Sequence, residues 1–381
     1  MKNVYSTYTQ SALLVFLFAL FSIFQINNVV NQYFLGADIG DARLYLDAFY
    51  NKKLNVTEDL GYSILLRYLG DFMGSNMLVT LFVFQSLLPL LATFYLCHVL
   101  KSNGLKFNFF AVMLGSTLWP FAIVFFSNIL KDSLIQALLI FFVAETLKFN
   151  NKGLFYFIKF LIISAALFFL RPPFGILPII ILIALYIFNN FYHKKNFWFN
   201  KIFILRSAFL TLFGLISLAL IIELPDFATG KMGVLSYGDN FSTFIYGRSI
   251  SSSLNYLPIY FGIFYLHPLG LPSGMPSMGV FLNNITIIIL ALLALNRYKT
   301  IKLVSSSGNM NLRYVLYVSG FLIFLHLIMA LPVIIDSGGM NVRHRLPSLY
   351  FLLISLILLS GVRARILLII FILTLPQFLF V

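Results

Sequence analysis

Long runs of consecutive apolar residues restrict the fold of this chain more than any other feature. An α-helix of about 20 apolar residues spans the ~30 Å hydrocarbon core of a bilayer. Eleven such runs can be read, at 11–31, 76–99, 107–126, 133–147, 154–170, 174–190, 202–222, 278–296, 314–335, 347–361 and 365–381. Those at 133–147 and 347–361 are short. A transmembrane β-barrel would alternate apolar and polar residues in strands of about ten, so these continuous runs exclude one. Composition excludes the soluble classes. Of 381 residues 60% are hydrophobic and 10% are charged, whereas a soluble domain carries about 25% charged residues. Such a chain cannot keep its surface in water, which rules out a cytosolic enzyme, a nucleic-acid-binding domain and a secreted disulfide module. The expected fold is all-α: a polytopic integral membrane protein of about eleven transmembrane helices, a single domain over 1–381 with no soluble appendage. The first run reads as a retained anchor, because no small-residue cleavage site follows it. One cysteine, Cys97, lies in an apolar run, so there is neither a disulfide framework nor a cysteine-based metal site.

Charge orients the helices. The net charge of +14 would suggest nucleic acid in a soluble protein; in a membrane protein it reports basic cytoplasmic loops. With the N-terminus cytoplasmic, the inside segments hold Lys2, Lys101, Lys106, Lys148, Lys152, Lys194, Lys195, Lys201, Arg206, Arg297, Lys299, Lys302, Arg313, Arg363 and Arg365, and no acidic residue. The outside segments hold ten basic and eleven acidic residues, while Lys159 and Glu145 fall within runs. That asymmetry is the one the positive-inside rule demands. Two outside loops are long, 32–75 and 223–277. The first contains DARLYLDAFYNKKL and GYSILLRYLGDFMG, which read as amphipathic helices lying along the membrane surface. Long loops of this kind usually carry function, so chemistry is expected on the outer face.

Outer-face cations run against the topological bias and are the better candidates for chemistry. Lys131 opens the fourth run in FSNILKDSL, Arg171 the sixth in LRPPFG, and Arg345 the tenth in RHRLP. Each sits beside a helix N-terminus, where unpaired N–H groups and the helix dipole favour an anion. Converging, three such ends would form a phosphate site, with Arg343 and Arg248 adding bidentate contacts and His344 at its edge. The plainer reading is snorkelling to lipid headgroups. Among carboxylates, Asp38, Asp41 and Asp47 follow the first run. Asp41 and Tyr45 are four apart and share a helical face; Asp47 lies on another. Asp41 is the candidate base for an incoming hydroxyl, or else an N-cap after Gly40. Asp132 caps or pairs locally with Lys131. Nothing here requires a metal or cofactor, although Asp38 and Asp41 leave a divalent ion open. Phosphate-binding glycine loops, HExxH and a serine elbow are absent.

Taken in order, these elements resemble the GT-C superfamily of membrane glycosyltransferases, particularly its family 39-like bacterial members. The resemblance rests on Asp41, Tyr45 and Ala48 after the first run and on GYSILLRYLG with the Gly-Ser-Asn that follows it. It continues with Pro120 before Lys-Asp-Ser-Leu, the Arg-Pro turn, and Arg343, Arg345 and Pro347 near the end. It covers residues 1–190 and, locally, 336–361. The resemblance implies a polyprenyl-phosphate-linked sugar donor attacked on the periplasmic face of a bacterial inner membrane, with inversion. Asp41 would match the catalytic carboxylate, while Lys131, Arg171 and Arg345 would match donor-phosphate contacts by position. Ala42 stands where family 39 commonly has an acid, which argues against a paired-acid or metal role. The lack of a soluble domain points also to a Wzy-type O-antigen or capsule polymerase joining lipid-linked repeat units. The expected partners are the lipid-linked donor, a lipid-linked glycan acceptor and membrane lipid, without nucleic acid. The competing class is a transporter or flippase of a lipid-linked or anionic solute, whose site would lie near the midplane. Here the charges gather at the outer surface instead.

Overall fold

The structure, a computed structural model, describes residue 45 and residues 60–74, 78–117, 131–148, 153–171, 174–182, 284–297, 315–316, 318–326 and 346–374. Among the described residues all regular structure is α-helical. In chain order the helices are α1 (Leu60–Met73), α2 (Leu78–Ser102), α3 (Phe109–Thr117), α4 (Asp132–Lys148), α5 (Gly153–Leu170), α6 (174–182), α7 (284–297), α8 (within 315–326), α9 (Leu346–Ser360) and α10 (Ala364–Thr374). Helices α2, α4, α5 and α9 begin and end within three residues of apolar runs, and α1 coincides with the second amphipathic surface piece. The runs at 11–31 and 202–222 and the loop 223–277 lie outside the described residues. Among the described residues no helix is long and apolar enough to cross a membrane. The longest, α2, has 25 residues, and Gln85, Ser86, Pro89 and Thr93 interrupt its apolar sequence.

The most extensive helix contact is between α2 and α4, and polar bonds at both ends show that the two run parallel. Near their starts Gln85 bonds Ser133, 48 residues on. Near their ends Tyr95 bonds Glu145, 50 residues on, and Asn103 reaches the Leu147 carbonyl at 3.3 Å. Along this stretch Leu96 and Val99 of α2 and Ile140 and Val143 of α4 are buried. α3 packs against α2, α9 and α10, and α5 packs against α4 and α1. Phe142 of α4 meets Phe160 of α5 edge to face at 5.5 Å.

Glu145 is 1% exposed, a position costly for a carboxylate without partners. It accepts from the Tyr95 hydroxyl and from Lys159 Nζ at 3.0 Å. Lys148 Nζ in turn donates to the Tyr95 oxygen at 2.7 Å and lies 4.5 Å from the ring centroid. The two charges that the sequence leaves inside apolar runs are therefore each other's partners, and they tie α2, α4 and α5 together at one end. At this end too, Arg297 of α7 donates to the Ser360 carbonyl of α9 at 2.8 Å, satisfying one of the carbonyls a helix terminus leaves unpaired.

Lys131 and Arg171 sit at the opposite end, where α1 docks. A Cβ placed on Gly61 would lie 1.7 Å from the Phe169 carbonyl oxygen, so the start of α1 rests directly on the last turn of α5. Gly61→Ala must push the two backbones apart. The expected cost is about 1–3 kcal/mol of overpacking, read as a lowered unfolding midpoint, with the Tyr62 contacts described below loosened alongside.

Candidate functional site

At the start of α4, Lys131 is the capping residue: its carbonyl accepts from the Ile135 N–H at 3.0 Å. Asp132 is the first helical residue and Ser133 the second. Lys131, Asp132 and Ser133 are all buried, at 6%, 4% and 0% exposure. An acid in the first turn complements the helix dipole, which accounts for Asp132. Dipole logic gives no such reason to bury a lysine at the same terminus.

A polar relay runs from this turn to α1. The Tyr62 hydroxyl donates to Gln85 Oε1 at 2.6 Å, and Gln85 Nε2 donates to Ser133 Oγ at 2.9 Å. Pro89 withholds the backbone N–H that the Gln85 carbonyl would otherwise receive, weakening α2 beside the relay. Tyr62 is fully buried. Burial pushes its phenol well above the ordinary tyrosine value of 10.0; the Gln85 hydrogen bond opposes the shift and the Asp132 charge adds to it. Tyr62 also meets Tyr45 edge to face, with centroids 4.7 Å apart. Tyr45 is itself 1% exposed, so it reaches the α4 terminus through the Tyr62 ring and Gln85.

Arg171 leads into α6, as expected, and ends α5 as well. Its backbone N–H still bonds the Leu167 carbonyl at 2.8 Å, and its own carbonyl accepts from the Phe174 N–H at 2.9 Å. It therefore closes the C-terminus of α5, where the dipole favours a cation, as well as leading into α6. Its guanidinium lies 5.5 Å from the Phe174 ring centroid. Phe174 lies 5.3 Å from the His326 ring, and His326 Nδ1 shares a 2.6 Å hydrogen bond with Ser348 Oγ in the first turn of α9. Pro347 occupies that first turn, where its missing N–H costs nothing.

The starts of α4, α6 and α9 thus lie at one end of the bundle, together with Lys131, Asp132, Arg171 and Tyr45. Asp38, Asp41, Asp47, Arg248, Arg343, His344 and Arg345 lie outside the described residues. Tyr62, Gln85, Ser133, His326 and Ser348 join this end without having stood out in the sequence. A polar residue isolated within an apolar run, as Gln85 and His326 are, was the available signal. Among the described residues no group of three or more His, Cys, Asp or Glu side chains could hold a metal ion. Comparison with family models, curated proteins and solved structures finds no match to this chain.

Two outcomes test the relay. Tyr62→Phe leaves Gln85 Oε1 without its donor and should cost about 1–2 kcal/mol. Gln85→Leu removes the acceptor of the Tyr62 hydroxyl and the donor to Ser133 Oγ together and should cost more; denaturant unfolding in detergent micelles ranks the pair. Because the folded-state phenol value is raised, Tyr62's contribution to stability is complete below pH 10 and declines only as the pH climbs above it. A tyrosinate absorbance titration should accordingly gain one late-ionising group in the wild type relative to Tyr62→Phe.

Proposed function

We propose that this chain is a membrane-embedded glycosyltransferase of GT-C type, acting at the periplasmic face of a bacterial inner membrane on a polyprenyl-phosphate-linked sugar. The observation that carries the reading is the buried Lys131–Asp132–Ser133 turn at the N-terminus of α4. Gln85, Tyr62 and Tyr45 join that turn to the loop containing Asp41.

The membrane placement belongs to the same proposal. It draws on the 60% hydrophobic composition and on apolar side chains turned outward on separate helices, among them Ile162 at 63%, Leu295 at 70% and Ile369 at 58% exposure. On α1, Tyr68 and Phe72 are exposed one turn apart, a pair suited to the headgroup boundary. Charge at the two ends supports it as well. Lys101, Lys106, Lys148, Arg297, Arg363 and Arg365, all assigned inside by the charge count, lie at the Glu145 end. Lys131 and Arg171 lie at the other.

The chemistry follows from the lipid tail. A donor held in the bilayer reaches its enzyme by lateral diffusion, and its anomeric carbon sits at the surface beside a phosphate. Attack by an acceptor hydroxyl forms a new bond at that carbon and breaks the bond to the phosphate oxygen. The phosphate leaves with the electron pair, and the hydroxyl proton passes to the Asp41 carboxylate. Charge growing on the phosphate is met by Lys131, the first N–H groups of α4 and Arg171, and one well-placed donor contributes about 3–4 kcal/mol to such a transition state. The same arrangement serves transfer of one sugar or of a whole lipid-linked repeat unit.

Asp41→Asn should abolish transfer while the protein still inserts and folds; full activity in that variant would remove the base assignment. Deleting the gene and separating surface polysaccharide by electrophoresis identifies the product. A ladder reduced to one repeat means a polymerase, a shift of one sugar per unit means a transferase, and an unchanged pattern contradicts the proposal.

A further inference from the structure

Gln136 lies one turn beyond Asp132 on α4. It is 0% exposed, and neither of its amide atoms has a hydrogen-bond partner among the described residues. An unpaired amide in an apolar interior costs on the order of 1–3 kcal/mol. Leucine or methionine would fill the position without that cost. The neighbouring polar groups are satisfied, as the bonds among Tyr62, Gln85 and Ser133 show, so Gln136 departs from its own surroundings.

Its direction follows from helix geometry. At 100° per residue, Gln136 projects between Asp132 and Ser133 around the axis of α4. Helical side chains lean toward the N-terminus, covering the turn before their own Cα. The amide is therefore aimed at the terminus where Lys131 is buried and the first N–H groups of a 17-residue helix emerge.

We infer that Gln136 is a sugar-recognition residue, completing its hydrogen bonds only when the donor's glycosyl group is bound. The inference rests on the glycosyltransferase reading and deepens it. An amide presents one donor group and one acceptor, the complement of neighbouring sugar hydroxyls. A phosphate at the helix terminus offers acceptors, and a lipid tail offers neither. The amide sits about one helical turn (~5 Å) from the terminal N–H groups, a separation that a sugar attached to a phosphate held there can span. A site whose buried polar group is satisfied by substrate alone also discriminates strongly, because an analogue without the partner leaves that group unpaired.

The test uses the full-length protein in lipid nanodiscs with two probes, polyprenyl-phosphate-glucose and polyprenyl phosphate. Gln136→Met preserves length and removes the amide; Gln136→Leu serves if the first variant folds poorly. Expected are an unfolding midpoint at or above that of the wild type without probe, about tenfold weaker binding of the sugar-bearing probe, and unchanged binding of polyprenyl phosphate. Wild-type affinity for the sugar-bearing probe in the variant, or equal weakening for both probes, overturns the inference and leaves the donor reading standing. A lowered midpoint without probe also overturns it, since the amide would then be paired in the empty protein. If the wild type binds neither probe, the donor reading falls and takes this inference with it.

Discussion

The arrangement depends on the parallel pairing of α2 and α4. Two parallel helices adjacent in space need a return segment between them, which α3 begins, and their register must be set by specific bonds because an apolar seam alone can slide. Gln85–Ser133 sets it at one end and Tyr95–Glu145 at the other, with offsets of 48 and 50 residues. In an interior without water each of these groups would be expensive to leave unpaired, so slippage is opposed at both ends. The bond near the starts of the pair is also what delivers Tyr62, and with it α1, to the terminus of α4. Register and site share one interaction.

The two ends treat charge differently. At the Glu145 end the acid is matched by Tyr95 and by Lys159, and Lys148 rests on the same tyrosine. Glu145, Tyr95, Lys148 and Lys159 satisfy one another there and tie three helices together. At the α4 start a lysine and an acid are buried together, with an amide one turn away that lacks a partner among the described residues. Natural folds tolerate such local cost where a ligand is received. On the proposed reading, that contrast separates the end that serves the fold from the end that would receive a substrate.

Helix positions were largely legible in the sequence, because the length of an apolar run and the charges at its edges dictate where a helix begins and ends. The start of α4 was legible for the same reason, from Lys-Asp-Ser-Leu. Arg171 was half legible: Arg-Pro-Pro both stops one helix and starts another, and sequence does not say which terminus the cation serves. The backbone bonds to Leu167 and from Phe174 show that it closes α5 as well. Tyr62, Gln85 and Ser133 come from separate segments, so their relay exists only once α1 docks on α5 through Gly61. Gln136 was visible as a polar residue inside an apolar run, yet only its burial gives it meaning. Asp41, the expected base, lies outside the described residues; Tyr45, four positions on, packs its ring against Tyr62.

The central claim is that a lipid-linked sugar phosphate is received at the junction of α1, α2 and α4. Photocrosslinking the protein in native membranes with a polyprenyl-phosphate sugar bearing a diazirine, followed by peptide mapping, tests it directly. Adducts should fall on residues 61–69 and 131–136 and in the segment around Tyr45. Adducts confined to the end that holds Glu145, Lys148 and Arg297 would contradict the account.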